Sequence, residues 1–188
     1  QRVRGADELE QRLHSLGRLQ VDADRASATV EDVGRWHVGV AALHRGVRLL
    51  RPGAVTLAQL REVVGDVEVG PDAIAPRVPG SGAAHYAPAT PLSLVPPGDI
   101  DSQAQALSAG GQRIAVLALR PPLGTHKYVT WINGGPRPDA YAHDLYANLR
   151  TLDRAGCARI LVQEVPHEEP WDAIRDRLVR AAAMGARA

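Results

Sequence analysis

Two arginines near the middle of the chain are the first residues whose types and spacing suggest chemistry. Arg48 and Arg51 flank the end of a short apolar run, just before a segment that is predicted to begin a helix. Guanidinium groups match phosphate or carboxylate oxygens, and a helix N-terminus adds unpaired backbone N–H donors. The pattern is compatible with an anion site. The interpretation that these residues alone favour is that both arginines are solvated at a strand end.

A histidine–tyrosine pair, His85 and Tyr86, is the second candidate. It lies within residues 70–98, which contain seven prolines and four glycines. A tyrosine beside a histidine can stack its ring on a nucleotide or form a hydrogen bond to it through the hydroxyl. Alternatively, the pair can pack the linker onto the protein. Because proline stiffens a chain, an ordered linker that lies on a surface is favoured over a flexible spacer.

Patterns for other kinds of chemistry are missing from the sequence. There is no Walker phosphate loop and no dinucleotide-binding glycine motif between a strand and a helix. None of the seven histidines has the spacing of metal ligands on a helix. Cys157 is the single cysteine, so no disulfide can form within one chain. We therefore predict neither a catalytic nucleophile nor a metal site.

Charge and hydropathy exclude two further classes of function. The net charge of the 188 residues is +1, which argues against non-specific binding of nucleic acid. No apolar run reaches the roughly 18 residues that a membrane span needs, and the N-terminal segment is charged rather than apolar. A protein of the cytoplasm without membrane contact is expected.

Local patterns predict the elements around the two arginines. Short apolar runs at 38–40 and 47–50 are separated by a turn, which predicts a hairpin. Thr56 and Gln59 form a capping box that predicts a short helix, with apolar positions on one face and Gly65 at its end. Residues 18–37 show no clear period.

From Pro91 onward, short apolar strands alternate with amphipathic helices. Strands are predicted at 92–95, 113–119, 128–132 and 159–165, and helices at 99–109, at 139–155 and from Pro170. Asp139 is expected to cap the second of these helices. The rhythm predicts a small, mostly parallel, three-layer α/β domain of the Rossmann or flavodoxin type. A site in such a domain would lie at the carboxyl ends of the strands, near 120–125 or 163–167.

The order of these motifs resembles that of two-domain L-threonylcarbamoyladenylate synthases. The matching segments are 50–54, 79–80, His85-Tyr86 with Pro88, the helix motif at 141–153, and the last strand and helix at 160–162 and 176–182. The resemblance implies an α/β chain in three parts. These are an incomplete YrdC-like catalytic domain at 1–69, an ordered linker at 70–90 and an accessory domain at 91–188.

The resemblance also implies a function in tRNA modification. Such an enzyme is a nucleotidyltransferase that converts ATP, L-threonine and bicarbonate into threonylcarbamoyl-AMP and pyrophosphate. ATP is a substrate that brings magnesium, no cofactor is tightly bound, and tRNA is reached only indirectly through a partner enzyme. Carried over, Arg51 would contact ATP from the catalytic side and Tyr86 from the linker, while His85 would seat the linker.

Three departures from the family pattern argue that this chain is inactive alone. The family's Lys-x-Arg pair is missing, since the single lysine is Lys127, and so is a Ser-x-Asn element. The strand Val-Gly-Val-Glu-Ser-Thr is replaced at 38–42 by Val-Gly-Val-Ala-Ala. The alternatives are a non-catalytic α/β module that binds a nucleotide or a partner, and a remnant without function.

Overall fold

The computed structural model describes residues 11–13, 18–22, 27–31, 37–43, 46–51, 53, 55–69 and 88–185. Side chains are described for 11–13, 47–50, 53, 55–69 and 88–183. The chain divides into two compact units. The first comprises residues 1–82 with 168–173, and the second comprises 83–167 with 174–188. The predicted domain boundaries after residues 69 and 90 stay predictions.

The first unit contains a five-stranded sheet in the order β1-β2-β3-β4-β5. The strands are β1 (Arg18–Asp22), β2 (Ser27–Glu31), β3 (His37–Leu43), β4 (Gly46–Arg51) and β5 (Val67–Val69). Neighbours from β1 to β4 are antiparallel, and β5 is parallel to β4. The predicted hairpin is confirmed as β3 and β4.

Strands β1 and β2 lie in the segment where the sequence showed no clear period. Each has five residues with only two alternating apolar positions, Leu19 and Val21 in β1, and Ala28 and Val30 in β2. Two alternations are a weak signal, because a strand's stability comes mostly from pairing with its neighbours. Here β1 pairs with β2, and β2 also pairs with β3. The local sequence pattern of one strand contains no information about these pairings.

Helix α1 (Leu57–Val64) confirms the predicted capping box. The hydroxyl Oγ1 of Thr56 accepts from the backbone N–H of Gln59 at 3.2 Å, and Gln59 Oε1 accepts from the N–H of Thr56 at 2.8 Å. The helix ends at Gly65, whose φ of +83° is costly for a residue with a Cβ. Leu60 is fully buried in the core of this unit.

The second unit contains a four-stranded sheet in the order β6-β9-β7-β8, with every pair parallel. Its strands are β6 (Leu92–Val95), β7 (Ile114–Ala118), β8 (Val129–Asn133) and β9 (Arg159–Gln163). Its helices are α2 (Ile100–Ser108), α3 (Pro138–Asp153) and α4 (Asp172–Gly185). The 3₁₀ turn at Glu169–Trp171 and the first two residues of α4 belong to the first unit.

Helices cover both faces of this sheet, which gives three layers. Ile114 and Val116 of β7 share one core cluster with Ile100 of α2. On the opposite face, Leu117 and Tyr141 of α3 both approach Gly134. All five residues of β7 are buried, as expected of a central parallel strand. The predicted mixed α/β class is confirmed.

Helix α3 confirms its predicted buried face but not its predicted cap. The side chains that the spacing placed on one face are all buried: Tyr141, Leu145, Leu149 and Leu152. The helix begins at Pro138, and Asp139 lies in its first turn and pairs with Arg137. The prediction that Asp139 is the N-cap is therefore wrong, because proline, whose φ is already helical, takes the first position.

Candidate functional site

Arg51, the predicted ATP contact on the catalytic side, is the last residue of β4. Its Cα pairs with that of Gly39 on β3, next to a register shift between Gly39 and Val40. The strand end and the start of α1 are thus separated by five residues, as the sequence suggested. The Arg51 side chain lies outside the described residues, so its contact with ATP stays a prediction.

His85 and Tyr86 also lie outside the described residues, and their roles stay predictions. The described chain resumes at Pro88, two residues after Tyr86. The structure describes the linker from Pro88 to the start of β6.

The second arginine of the candidate anion site, Arg48, is paired within the sheet. Arg48 on β4 and Glu68 on β5 are direct cross-strand partners. The Nε of Arg48 donates to Glu68 Oε2 at 3.1 Å, and its Nη2 forms an ion pair with the same oxygen. This pairing supports a structural role for Arg48 rather than anion binding.

The N-terminus of α1 does not offer the unpaired donors that the sequence suggested. Besides the bonds between Thr56 and Gln59, the N–H of Ala58 donates to Glu169 Oε1 at 2.9 Å. Residues 168–173 belong to the same compact unit as α1. A carboxylate is favourable at a helix N-terminus, where backbone N–H groups and the helix dipole meet it. The expectation of free donors is wrong for Ala58, whereas the pairing of the Gln59 N–H follows the predicted capping box.

A carboxylate at the end of α3 holds the backbone just before β6. Asp153 Oδ1 accepts from the backbone N–H of Thr90 at 2.8 Å, and its Oδ2 accepts from that of Ala89 at 3.2 Å. Partial burial acts to raise the pKa of Asp153. The Thr90 and Ala89 bonds and the charge of Arg154 outweigh it, so the pKa lies below its usual value.

A second carboxylate, Asp101 in the first turn of α2, organises the loop after β7. It accepts from Nη2 of Arg120 at 2.6 Å and from the backbone N–H of Leu123 at 2.8 Å. The Nε2 of His126 lies 3.0 Å from its Oδ1. Burial acts to raise the pKa of Asp101, but the Leu123, Arg120 and His126 contacts outweigh it and lower the pKa.

The carboxyl ends of the strands are therefore occupied by contacts within the domain. Arg120 binds Asp101, and the buried Gln163 accepts from the N–H of Leu119 at 3.2 Å. Both lie where the fold analogy placed a possible site, but they stabilise the loop. Asp101, the aspartate that joins Arg120 to α2, is 19 residues from Arg120 in sequence, and no local pattern signalled it.

Lys127, the single lysine of the sequence, lies in the same loop. Its Nζ is 4.9 Å from the ring centroid of Tyr128. The part of the chain that the structure describes holds no group of three or more His, Cys, Asp and Glu side chains placed to bind a metal ion. Within the same residues, no helix has the length and apolar composition that crossing a bilayer requires.

Comparison with known proteins gives a consistent result. A family model described as the threonylcarbamoyl-AMP synthase C-terminal domain matches residues 55–183. The threonylcarbamoyl-AMP synthase of Bacillus subtilis (strain 168) is 29% identical over 174 residues, covering 86% of this chain and 50% of that protein. The chain thus spans about half the length of the curated relative that it matches.

Two solved structures of P. abyssi Sua5 are similar in fold. The complex with L-threonine has a TM-score of 0.62 at 23% identity, covering 77% of this chain and 44% of that one. The second structure is a variant in which an adjacent histidine and tyrosine are both replaced by alanine. Its TM-score is 0.61 at 20% identity, covering 83% of this chain and 44% of that one.

Proposed function

This chain belongs to the threonylcarbamoyl-AMP synthase C-terminal domain family, and we propose that it serves as the C-terminal part of such a synthase. Membership confirms the resemblance that the order of motifs predicted. The observation that carries the proposal is the extent of the family match. Residues 55–183 include α1, the linker with His85 and Tyr86, and nearly all of the second unit.

The proposed reaction joins ATP, L-threonine and bicarbonate into threonylcarbamoyl-AMP and releases pyrophosphate. The solved complex of P. abyssi Sua5 with L-threonine supports threonine as a substrate. Magnesium would arrive with ATP, bound to its phosphate oxygens as is usual for nucleotide substrates. Transfer of the threonylcarbamoyl group to tRNA would be the task of a partner enzyme, and the work would take place in the cytoplasm.

Within that reaction, we assign this chain one side of the nucleotide site. Arg51 would contact ATP from the end of β4, Tyr86 would contact it from the linker, and His85 would seat the linker. In the P. abyssi variant, an adjacent histidine and tyrosine are both replaced. This supports assigning roles to His85 and Tyr86, which form the one His-Tyr dipeptide of this sequence. A linker closing over a mixed anhydride would exclude water and limit its hydrolysis.

Calorimetric titration of the purified chain with magnesium and ATP tests this assignment. We expect micromolar binding that is lost on Arg51→Ala and weakened on Tyr86→Phe. Arg61→Ala is the matched control, because Arg61 is an exposed arginine in the last turn of α1. The assignment of one side of the nucleotide site to this chain would be refuted if the unmodified chain did not bind ATP, or if Arg61→Ala weakened binding as much as Arg51→Ala. Either result would favour the non-catalytic, partner-binding alternative.

A further inference from the structure

Three parallel strands of the second unit begin side by side, and a cation lies at the start of each. The sheet order places β7 between β9 and β8. Arg113 immediately precedes β7, Lys127 lies two residues before β8, and Arg159 is the first residue of β9. Because neighbouring strands are about 4.8 Å apart, the three backbone positions span only about 10 Å across the sheet.

Backbone contacts bring the turn after α3 to the same place. The carbonyl oxygen of Arg113 accepts from the N–H of Ala158 at 2.8 Å. The Nη1 of Arg113 lies 3.9 Å from the position that a Cβ on Gly156 would take. Arg154, at the end of α3, is two residues from this glycine. All of these residues belong to the second unit. We call the surface formed by residues 112–113, 127–128 and 154–159 the basic edge.

Nearby acidic residues do not balance the positive charge of the basic edge. The sequence contains no Asp or Glu from 102 to 138 or from 154 to 163. In the described part of the chain, Arg113, Lys127 and Arg154 form no ion pair, and all three are exposed. Arg159 donates to the neutral Oγ of Ser93 at 3.0 Å, which leaves its charge uncompensated.

Two local features could explain these cations without a ligand, and neither accounts for all of them. Asp153 is next to Arg154 in the sequence, but its two oxygens accept the N–H groups of Ala89 and Thr90. The C-terminus of a helix attracts cations, and α3 ends here. That attraction acts within the last turn, so it applies to Arg154 but not to Lys127 in its loop.

The opposite edge of the same sheet has its arginines paired. Arg120, after β7, forms an ion pair with Asp101, and Arg137, after β8, forms one with Asp139. Both edges come from one arginine-rich sequence, so composition alone does not explain the difference. Uncompensated charge is therefore a property of the basic edge.

An exposed aromatic ring lies among these cations. Tyr128 directly precedes β8, is 47% exposed, and has a φ of +66°, which is uncommon for a residue with a Cβ. Its carbonyl oxygen accepts from the N–H of Ile114 at 2.9 Å, which fixes its backbone against β7. The Nζ of Lys127 is 4.9 Å from the ring centroid. Proteins that bind single-stranded nucleic acid combine cations that meet phosphates with aromatic rings on which bases stack.

We propose that the basic edge binds single-stranded nucleic acid, with its cations on phosphates and the Tyr128 ring stacked on a base. The net charge of +1 argues against binding over the whole surface, but a local cluster of cations sets its own field. The inference goes beyond the proposed function and does not rest on it, since this contact requires no ATP and no partner enzyme.

Fluorescence anisotropy of a labelled uridine dodecamer, titrated with the full chain, tests the proposal. One variant combines Arg113→Ala, Lys127→Ala and Arg154→Ala, and a second is Tyr128→Ala. Arg137→Ala is the matched control, because Arg137 belongs to the same unit and its side chain is 74% exposed but paired. Thermal unfolding checks the fold of each variant, and the single substitutions replace the triple variant if it does not fold.

We expect micromolar binding of the dodecamer at low salt, as is usual for contacts to phosphates. The triple variant should weaken binding at least about tenfold and reduce the slope of log K against log salt by about 2, or about 0.7 for each lost cation. Tyr128→Ala should weaken binding by about tenfold without changing this slope, because stacking releases no counterions. Arg137→Ala should bind like the unmodified chain.

Four outcomes refute the inference. The unmodified chain does not bind the dodecamer, Arg137→Ala weakens binding as much as Arg113→Ala, or Tyr128→Ala binds normally. In the fourth, poly-L-glutamate of equal charge competes as well as unlabelled dodecamer, which would indicate an acidic protein as the partner. ATP titration is scored separately: a chain that binds the dodecamer but no ATP refutes the proposed function and leaves this inference standing.

Discussion

The imidazole of His126 is stacked on the indole of Trp131, with ring centroids 5.8 Å apart and planes 7° from parallel. The same imidazole contacts Asp101, and the indole Nε1 donates to the carbonyl oxygen of Arg120 at 2.9 Å. One side chain from α2 and one from β8 therefore hold both ends of the loop that follows β7. Contacts with these two elements therefore order the loop.

The first prediction concerns the carboxylate at the centre of this arrangement. Asp101→Ala should lower the free energy of unfolding by about 2 kcal/mol, because it leaves the charged Arg120 and a backbone N–H without their acceptor. The Asp101 side chain is 16% exposed, so water replaces these bonds only in part. Urea denaturation measures the change. Asp144 on α3 is the matched control, because its side chain is 61% exposed. Asp144→Ala should change the free energy of unfolding by less than about 0.5 kcal/mol, and an equal effect from both variants would contradict the prediction.

The second prediction is the pH dependence of the same contribution. Hydrogen bonds hold the pKa of Asp101 below its usual value in the folded chain. A depressed pKa stabilises the fold above the unfolded value of about 3.9, and this stabilisation is lost as the pH falls through the folded value. The difference in unfolding free energy between the unmodified chain and Asp101→Ala should thus shrink as the pH falls from about 5 towards about 3. A difference that grows over this range would refute the sign.

The third prediction concerns the close approach of the backbone to α3 after β8. A Cβ added to Gly134 would lie 2.6 Å from two ring atoms of Tyr141, which is fully packed. Gly134→Ala should destabilise the chain by about 1–3 kcal/mol, the usual cost of overpacking. Gly98→Ala is the matched control, since nothing lies within 4 Å of its added Cβ. Thermal unfolding of the two variants compares them, and equal midpoints would count against the contact.

The fourth prediction is that the purified chain does not make threonylcarbamoyl-AMP by itself. Stabilising a triphosphate needs several positive groups at once, because single surface contacts contribute little. Arg48, one of the two arginines of β4, is paired with Glu68. The single lysine, Lys127, lies over the ring of Tyr128. An assay of pyrophosphate release should give the same background with and without threonine and bicarbonate. Release that depends on both would prove the prediction wrong.

The fifth prediction tests the capping box of α1. Thr56→Ala removes the acceptor of the Gln59 N–H and should cost about 1 kcal/mol of unfolding free energy. Thr56→Ser keeps the hydroxyl and should recover most of the loss. The urea midpoint reports both variants. If serine and alanine were equally destabilising, the methyl group rather than the hydrogen bond would be responsible.

The elements that local pattern predicted well are those whose signals lie within one turn or one strand. The capping box of Thr56 and Gln59 needs residues three apart, and the buried face of α3 follows from helical spacing. The bounds of β6 were also predicted correctly, because Pro91 and Pro96 limit that strand on both sides. The cap of α3 was missed since Asp139 and Pro138 gave competing signals.

Contacts between distant residues were beyond the same patterns. Ala58 and Glu169 are 111 residues apart, Asp153 and Thr90 are 63 apart, and both pairs use a carboxylate to satisfy backbone N–H groups. A surface aspartate or glutamate has the same local pattern whether it faces water or a peptide group. Only the folded chain shows which of the chain's acidic residues accept such bonds.

By itself, the amino-acid sequence determined the α/β class, the order of motifs that marks the family, and Arg51, His85 and Tyr86 as candidates. These depend on residue type and short spacing, which the chain carries before it folds. The tertiary structure decided that Arg48 and the first turn of α1 are engaged within the protein, and that Asp153 accepts from the backbone of Ala89 and Thr90. Such assignments depend on which distant groups come within hydrogen-bonding distance, and that is settled only when the sheets and helices pack.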